Sequence, residues 1–494
     1  MSLTRLSLTL LLVLGMTNPL WSQALTFGHR TYPGRSTYTH ADLNNDGRED
    51  LIYYTNTGFA VALSNGDGTY AAPVSYTVPD GHSAGIVTFD HNNDGYTDIF
   101  AFNASSQQFY EYLNNKNGTF HLQASYVVGT IWYMVAGDFN HDGYIDLAYS
   151  TSGTSGTQLH VYFNNHASGF SPGPVTTIPL IAQMTVGDFD GDGKADIFIS
   201  AADFASPPTY ILFGDNAGHF PSIVNASTGH HAIYLPMDID GDGRTDLVGA
   251  ASSFNSTTHT NTYYKSLFVL YGNSSRSVTE SAIPLNGYPI PTTARTAATD
   301  PDVDQADFNG DGKADLVFVE ATQANGGGNR ILVVMTGRGG RAFNPETTIY
   351  TDSSGQLDFS AEAIRANSDN KPDILVDTFA NNTPTAQFFL NDTSASFGGC
   401  SLPSTATGIH LCSPTTYSST TTKFSLSAAG APFMHRMELW VDGVKKYQQF
   451  ARDFSHYAFL DTTITLTTGT HKVSIYAAGE DNSLQRKDYT ITVQ

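Results

Sequence analysis

The nine residues Asp138 to Asp146, DFNHDGYID, carry oxygen side chains at their first, third, fifth and ninth places and a glycine at the sixth. A sharp turn at that glycine makes the seventh backbone carbonyl available, and the set is a shell for a hard cation, with calcium its natural occupant. Close copies begin at Asp42 (DLNNDGRED), Asp90 (DHNNDGYTD), Asp188 (DFDGDGKAD), Asp238 (DIDGDGRTD) and Asp307 (DFNGDGKAD). A worn seventh, RANSDNKPD, has Arg365 for the first aspartate and Asn370 for the glycine. The candidate ligands are Asp42, Asn44, Asp46, Arg48 and Asp50; Asp90, Asn92, Asp94, Tyr96 and Asp98; Asp138, Asn140, Asp142, Tyr144 and Asp146. They continue with Asp188, Asp190, Asp192, Lys194 and Asp196; Asp238, Asp240, Asp242, Arg244 and Asp246; Asp307, Asn309, Asp311, Lys313 and Asp315. The seventh residue of each set contributes its carbonyl, and the six intact loops imply about six calcium ions.

An EF-hand would need a glutamate at the twelfth place and a helix behind it. Here the twelfth place holds Tyr53, Ala101, Tyr149, Ile199, Gly249 and Phe318, inside runs such as DLIYY, DIFIS and DLVFVE that read as buried strands. The loop is therefore a turn between two strands. The repeats start 48, 48, 50, 50, 69 and 58 residues apart, a blade-sized period. In each, a strand enters the loop (YMVAGD, QMTVGD), a second leaves it, a third follows (FYEYLNN, LHVYFNN, QFFLND), and after an N-x-x-G turn a fourth begins with Phe or Tyr. Four strands in seven units predict an all-β, seven-bladed β-propeller with calcium loops. Leu25 to Tyr32 resembles a fourth strand without a blade, and the seventh unit runs out after QFFLND, so the N-terminal strand is expected to close the ring. Ala250 to Tyr264 and Pro284 to Asp304 lengthen the fifth unit and read as surface loops.

From about Cys400 the repeat stops, and short alternating segments split by turns such as Asp442-Gly443 predict an immunoglobulin-like β-sandwich with Trp440 in its core. The domain expectation is a signal peptide over 1–24, the propeller over 25–398 and the sandwich over 399–494. The signal rests on Arg5, the apolar stretch Leu6 to Leu14, and Ser22 and Ala24 at cleavage-site places. It implies a secreted or cell-surface chain without membrane insertion. In that compartment Cys400 and Cys412 are expected to form a local disulfide. The net charge of −22 is concentrated in the loops, where twenty of the 46 acidic residues occupy ligand positions. With 24 Lys and Arg there is no basic face for nucleic acid.

The loop D-x-[DN]-x-D-G-x-x-D, followed by D-[IL]-apolar and later N-x-x-G-x-[FY], resembles the FG-GAP or VCBS repeat, which also builds the head of integrin α-subunits. The tail resembles the immunoglobulin-like module that follows such propellers in secreted bacterial proteins. The resemblance implies calcium at places 1, 3, 5, 7 and 9, and a family that spans adhesion receptors, lectins and polysaccharide lyases. On the face opposite the calcium loops the sequence places His82, Trp132, Tyr133, His230, His231, Tyr234, Asp300 and Asp302. Of these, Trp132, Tyr133, His230, His231 and Tyr234 are the ligand-binding candidates. The chain carries no nucleophile elbow, HExxH or phosphate loop. The expected function is an extracellular binding or adhesion module for a glycan or surface protein. The alternative is a carbohydrate-active lyase or hydrolase using His230, His231 and Tyr234.

Overall fold

The computed structural model describes residues 25–494 apart from 26, 34–36, 80, 82–84, 104–106, 154–155, 167–168, 179–182, 201–208, 227–230, 241, 243, 256–259, 290–302, 310–312, 325–327, 355–356, 368–370, 381–382, 394–407, 412–415, 430–433, 451–456 and 480–483. The expected signal peptide, the cysteine pair, His82, His230, Asp300, Asp302 and Asp311 lie outside these residues, as do the side chains of His231 and Tyr234.

Strand β1 (Phe27–Pro33) precedes the first complete sheet, which is built from β2 (Thr37–Ala41), β3 (Asp50–Thr55), β4 (Gly58–Ala62) and β5 (Val74–Thr77) in sequence order. The same up-and-down order recurs in sheets two to five, from Gly85–Phe89 through Ser277–Pro284. In the sixth sheet both Tyr288–Pro289 and Val303–Ala306 pair with Asp315–Ala321. The seventh takes Leu357–Ile364, Asp373–Ala380 and Thr383–Asn391, and its fourth strand is β1, in register from Phe27↔Asn391 to Pro33↔Thr385. The orphan N-terminal strand thus completes the last unit, as its sequence required. Among the described residues no α-helix occurs, and no helix is long and apolar enough to cross a membrane.

Burial follows strand position. The second strand has neighbours on both sides and is buried along its length, as in Asp315–Ala321, where every residue is buried and all but Asp315 and Glu320 are apolar. The fourth strand is an edge and alternates toward solvent, as in Ser222–Asn225. A separate apolar cluster fills each gap between sheets. Ile52, Phe59 and Tyr112 join sheets one and two; Phe139, Leu159 and Ile197 join three and four. Leu51, Tyr53 and Phe388 join the seventh sheet back to the first. The packing is therefore cyclic, consistent with a β-propeller. Antiparallel pairing puts the links from strand one to two and three to four at one end of each sheet, and the other two links at the opposite end.

Three expectations are corrected. Pro284 to Asp304, expected as a surface loop, holds Tyr288–Pro289 and the start of Val303–Ala306, both paired into the sixth sheet. Ala250 to Tyr264 is not a surface loop: Asp246–Asn255 and Thr260–Asn273 prolong the hairpin, with Ser252↔Tyr263 through Asn255↔Thr260 in register. Thr, Tyr and Phe favour strands, and a stretch dominated by Ser, Thr and Asn shows no hydropathy alternation. Tyr263 N also donates to Ala324 O at 2.8 Å, tying the hairpin to the sixth sheet.

After the repeats, a three-stranded and a five-stranded sheet share one core containing Phe424, Leu426, Met437, Leu439, Val473 and Ile475. Trp440 is not in that core. It is half-buried on the other face of its strand, because Met437, Leu439 and Val441 take the inward phase. Its Nε1 donates to Glu438 at 2.7 Å, and its ring meets Tyr476 edge-on at 5.7 Å.

Candidate metal centres

Each acidic loop links the first and second strands of its sheet, so the nine-residue copies gather at one end of the array. The loop folds on its own oxygens. In the first, Asp42 Oδ1 and Oδ2 accept from Asp46 N at 3.1 Å and Gly47 N at 2.8 Å, Asn44 Oδ1 accepts from Asp46 N at 3.0 Å, and Asp46 Oδ1 from Arg48 N at 3.0 Å. The second, third and fourth loops repeat these bonds from Asp90, Asp138 and Asp188. The winding needs left-handed backbone at the fourth and sixth places, supplied by Asn45 (φ 58°) with Gly47 (φ 84°) and by Gly191 (φ 76°) with Gly193 (φ 82°).

The ninth aspartate has a second role that sequence reasoning did not anticipate. One oxygen accepts from the second residue of its loop, the other from the end of the third strand. Asp146 takes Phe139 N at 3.0 Å and Asn164 N at 2.8 Å; Asp196 takes Phe189 N at 3.0 Å and Gly214 N at 2.8 Å. The worn loop keeps this brace: Asp373 takes Ala366 N at 3.0 Å and Asn391 N at 2.8 Å. The recurring asparagine of YLNN, YFNN and FFLND is a clasp between sheets. Asn114 Nδ2 reaches Leu43 O at 2.7 Å, Asn164 Nδ2 reaches His91 O at 2.9 Å, and Asn391 Nδ2 reaches Phe308 O at 2.9 Å. In the fourth, fifth and sixth sheets Gly214, Gly272 and Gly337 hold that place. A Cβ on Gly272 would lie 2.5 Å from Phe189 O. The motif was visible in the sequence, but its partners were 71 to 83 residues away.

Burial pushes the acids up: Asp42 to about 6, Asp50 to about 7, and Asp98, Asp146, Asp196 and Asp246 to about 8. Neighbouring carboxylates of the same loop add to the effect, against the backbone donors. Among the described residues, Asp188, Asp190 and Asp196, and Asp238, Asp240 and Asp242, each bring oxygens within 4.8 Å of one another. These all-oxygen clusters can hold a metal ion.

The worn loop is held differently. Arg365 N donates to Glu49 Oε2 at 2.7 Å, and Glu49 N returns a bond to Arg365 O at 3.1 Å. Burial alone would raise Glu49, but His40 and Arg365 hold it down at about 2. His40 lies 3.1 Å from Glu362, and Glu49 and Glu362 push its imidazole up to about 10 against the effect of burial. A salt-bridged cluster therefore stands at the junction of the seventh and first sheets.

At the opposite end, Trp132 lies in the link between the second and third sheets and is 56% exposed. Tyr133 beside it turns inward against the core between sheets three and four, and burial raises its phenol. His231 and Tyr234 lie in the strand His231–Met237, one sheet beyond the fourth.

A family model described as the FG-GAP-like repeat matches residues 42–101, 90–149, 138–199, 238–318 and 307–376, and one described as the FG-GAP repeat matches 182–218. No curated protein matches. A solved chain of the S. cerevisiae core factor is similar over 76% of this chain at 10% identity and a TM-score of 0.40, and this chain spans 58% of that chain's length.

Proposed function

The chain belongs to the FG-GAP-like repeat family, and from that premise we propose that it is a secreted seven-bladed β-propeller stapled by about six calcium ions, followed by an immunoglobulin-like domain, that binds an extracellular glycan or surface protein. The observation that carries the reading is the oxygen cradle repeated at one end of successive sheets, with buried carboxylates whose ionised form a divalent cation stabilises. In each site the side chains at places 1, 3, 5 and 9 and the carbonyl at place 7 would hold the ion. In the fourth site these are Asp188, Asp190, Asp192, Asp196 and the carbonyl of Lys194. Repeats of this family are typical of extracellular proteins, which agrees with the expected signal over 1–24.

Recognition is assigned to the face away from the calcium loops. Exposed aromatic surface is what stacks on sugars or anchors protein partners, and Trp132 provides it there. The test is capture of the mature chain by a glycan array and by immobilised extracellular-matrix proteins, in calcium, for wild type and Trp132→Ala. Capture reduced at least about tenfold with an unchanged melting temperature supports the assignment. Undiminished capture that disappears on removing residues 399–494 moves the site to the C-terminal domain. No capture on either panel rejects the binding role.

A further inference from the structure

The loops differ at their third place, and the neighbouring sheet answers the difference. In the first and third loops, where it is asparagine, the amide bonds within the loop: Asn44 Nδ2 donates to Asp46 Oδ2 at 2.9 Å, and Asn140 Nδ2 donates to Asp142 Oδ2 at 2.9 Å. In the fourth and fifth loops that place is Asp190 or Asp240, so the amide donor is lost, and the fifth-place Asp192 and Asp242 pair instead with Lys194 and Arg244 of their own loops. In both, an arginine from the next sheet's turn between third and fourth strands takes over. Arg276 Nε donates to Asp190 Oδ2 at 2.7 Å and Nη2 to Asp192 Oδ2 at 3.3 Å. Arg341 Nε donates to Asp240 Oδ2 at 2.9 Å. Each guanidinium is aimed from an aromatic ring between loop and turn, Arg276 with Cζ 5.1 Å from the Phe213 centroid and Arg341 3.7 Å from that of Tyr271. Arg276 sits in left-handed backbone (φ 57°), a strained placement for a long side chain.

We infer that Arg276 and Arg341 act as resident cations of the fourth and fifth loops: they hold each four-carboxylate shell together when metal is absent and lower its calcium affinity when metal arrives. This rests on the calcium reading above. The extra aspartate would by itself make these two sites the tightest of the array, since affinity rises with ligand charge. A fixed positive charge on the third-place carboxylate cancels that gain and competes with the ion for the same oxygen lone pairs. Because each arginine belongs to the next sheet, the staple between sheets four and five, and between five and six, persists in low calcium. In the first and third loops the third-place asparagine bonds inside its own loop instead.

The arginines act through the ligands, so the readout is calcium affinity and metal-free stability rather than capture. Wild type, Arg276→Gln, Arg341→Gln and Arg276→Lys are loaded with calcium, then stripped against a competing chelator dye, so that an unstable metal-free form does not block the measurement. Each Gln variant is expected to bind one calcium about tenfold more tightly than wild type and to melt at a lower temperature in excess chelator. Arg276→Lys, which keeps the charge, stays near wild-type affinity. Unchanged or weaker calcium binding in both Gln variants overturns the inference, the arginines then being structural supports. A wild-type chain that binds no calcium at all rejects the metal reading itself, a separate outcome.

Discussion

Asn164 shows how much of this fold is fastened by single side chains. Its Nδ2 serves His91 O at 2.9 Å in the preceding sheet and Ile145 O at 3.1 Å in its own loop, both out of contact with water. Asn164→Ala leaves two buried carbonyls unpaired, which costs on the order of 1–3 kcal/mol and lowers the melting temperature by roughly 2–6 °C. Asn117→Ala, in an exposed turn, changes it by less than about 1 °C, and thermal melts in calcium check both. The acidic loops themselves were legible because their oxygen side chains recur at fixed spacing. Asn164, Arg276 and Arg341 were not, because each acts on a partner in another repeat. Trp440 was misread in phase: its neighbours Leu439 and Val441 already occupied the inward positions.

At the scale of the loop, stability without metal should depend on pH in an unusual direction. The carboxyls of Asp50, Asp98, Asp146, Asp196 and Asp246 are raised by burial to about 7 or 8 from an ordinary 3.8. A carboxyl raised in the folded state contributes stability that is complete below its unfolded pKa and lost as pH rises through its folded one. In excess chelator the melting temperature should therefore fall between about pH 4 and 8. Saturating calcium favours the ionised form, so its stabilising increment should grow over the same range. A chelated protein that gains stability with rising pH would contradict this, and melts across the pH series decide it. The strand pattern around the loops was legible from period and apolar runs. The hairpin Asp246–Asn255 with Thr260–Asn273 was not, since Ser, Thr and Asn dominate the sequence around its tip.

For the whole molecule, cyclic packing makes closure the vulnerable joint. Deleting residues 25–33 removes β1 and exposes the edge of Thr383–Asn391, so the truncated chain should aggregate or unfold in more than one step, as read by light scattering and calorimetry. The closure was foreseeable from an orphan fourth strand at one end and a missing one at the other. The salt-bridged cluster of His40, Glu49 and Glu362 was not, because it joins residues from opposite ends of the array. Calcium is the central claim, and the most direct test is scanning calorimetry of the mature chain in millimolar calcium and in excess chelator. The proposed sites, about six and each adding RT ln(1 + [L]/Kd), predict a fall in melting temperature on the order of 10 °C or more when the metal is removed. Superimposable transitions in calcium and chelator would contradict the account.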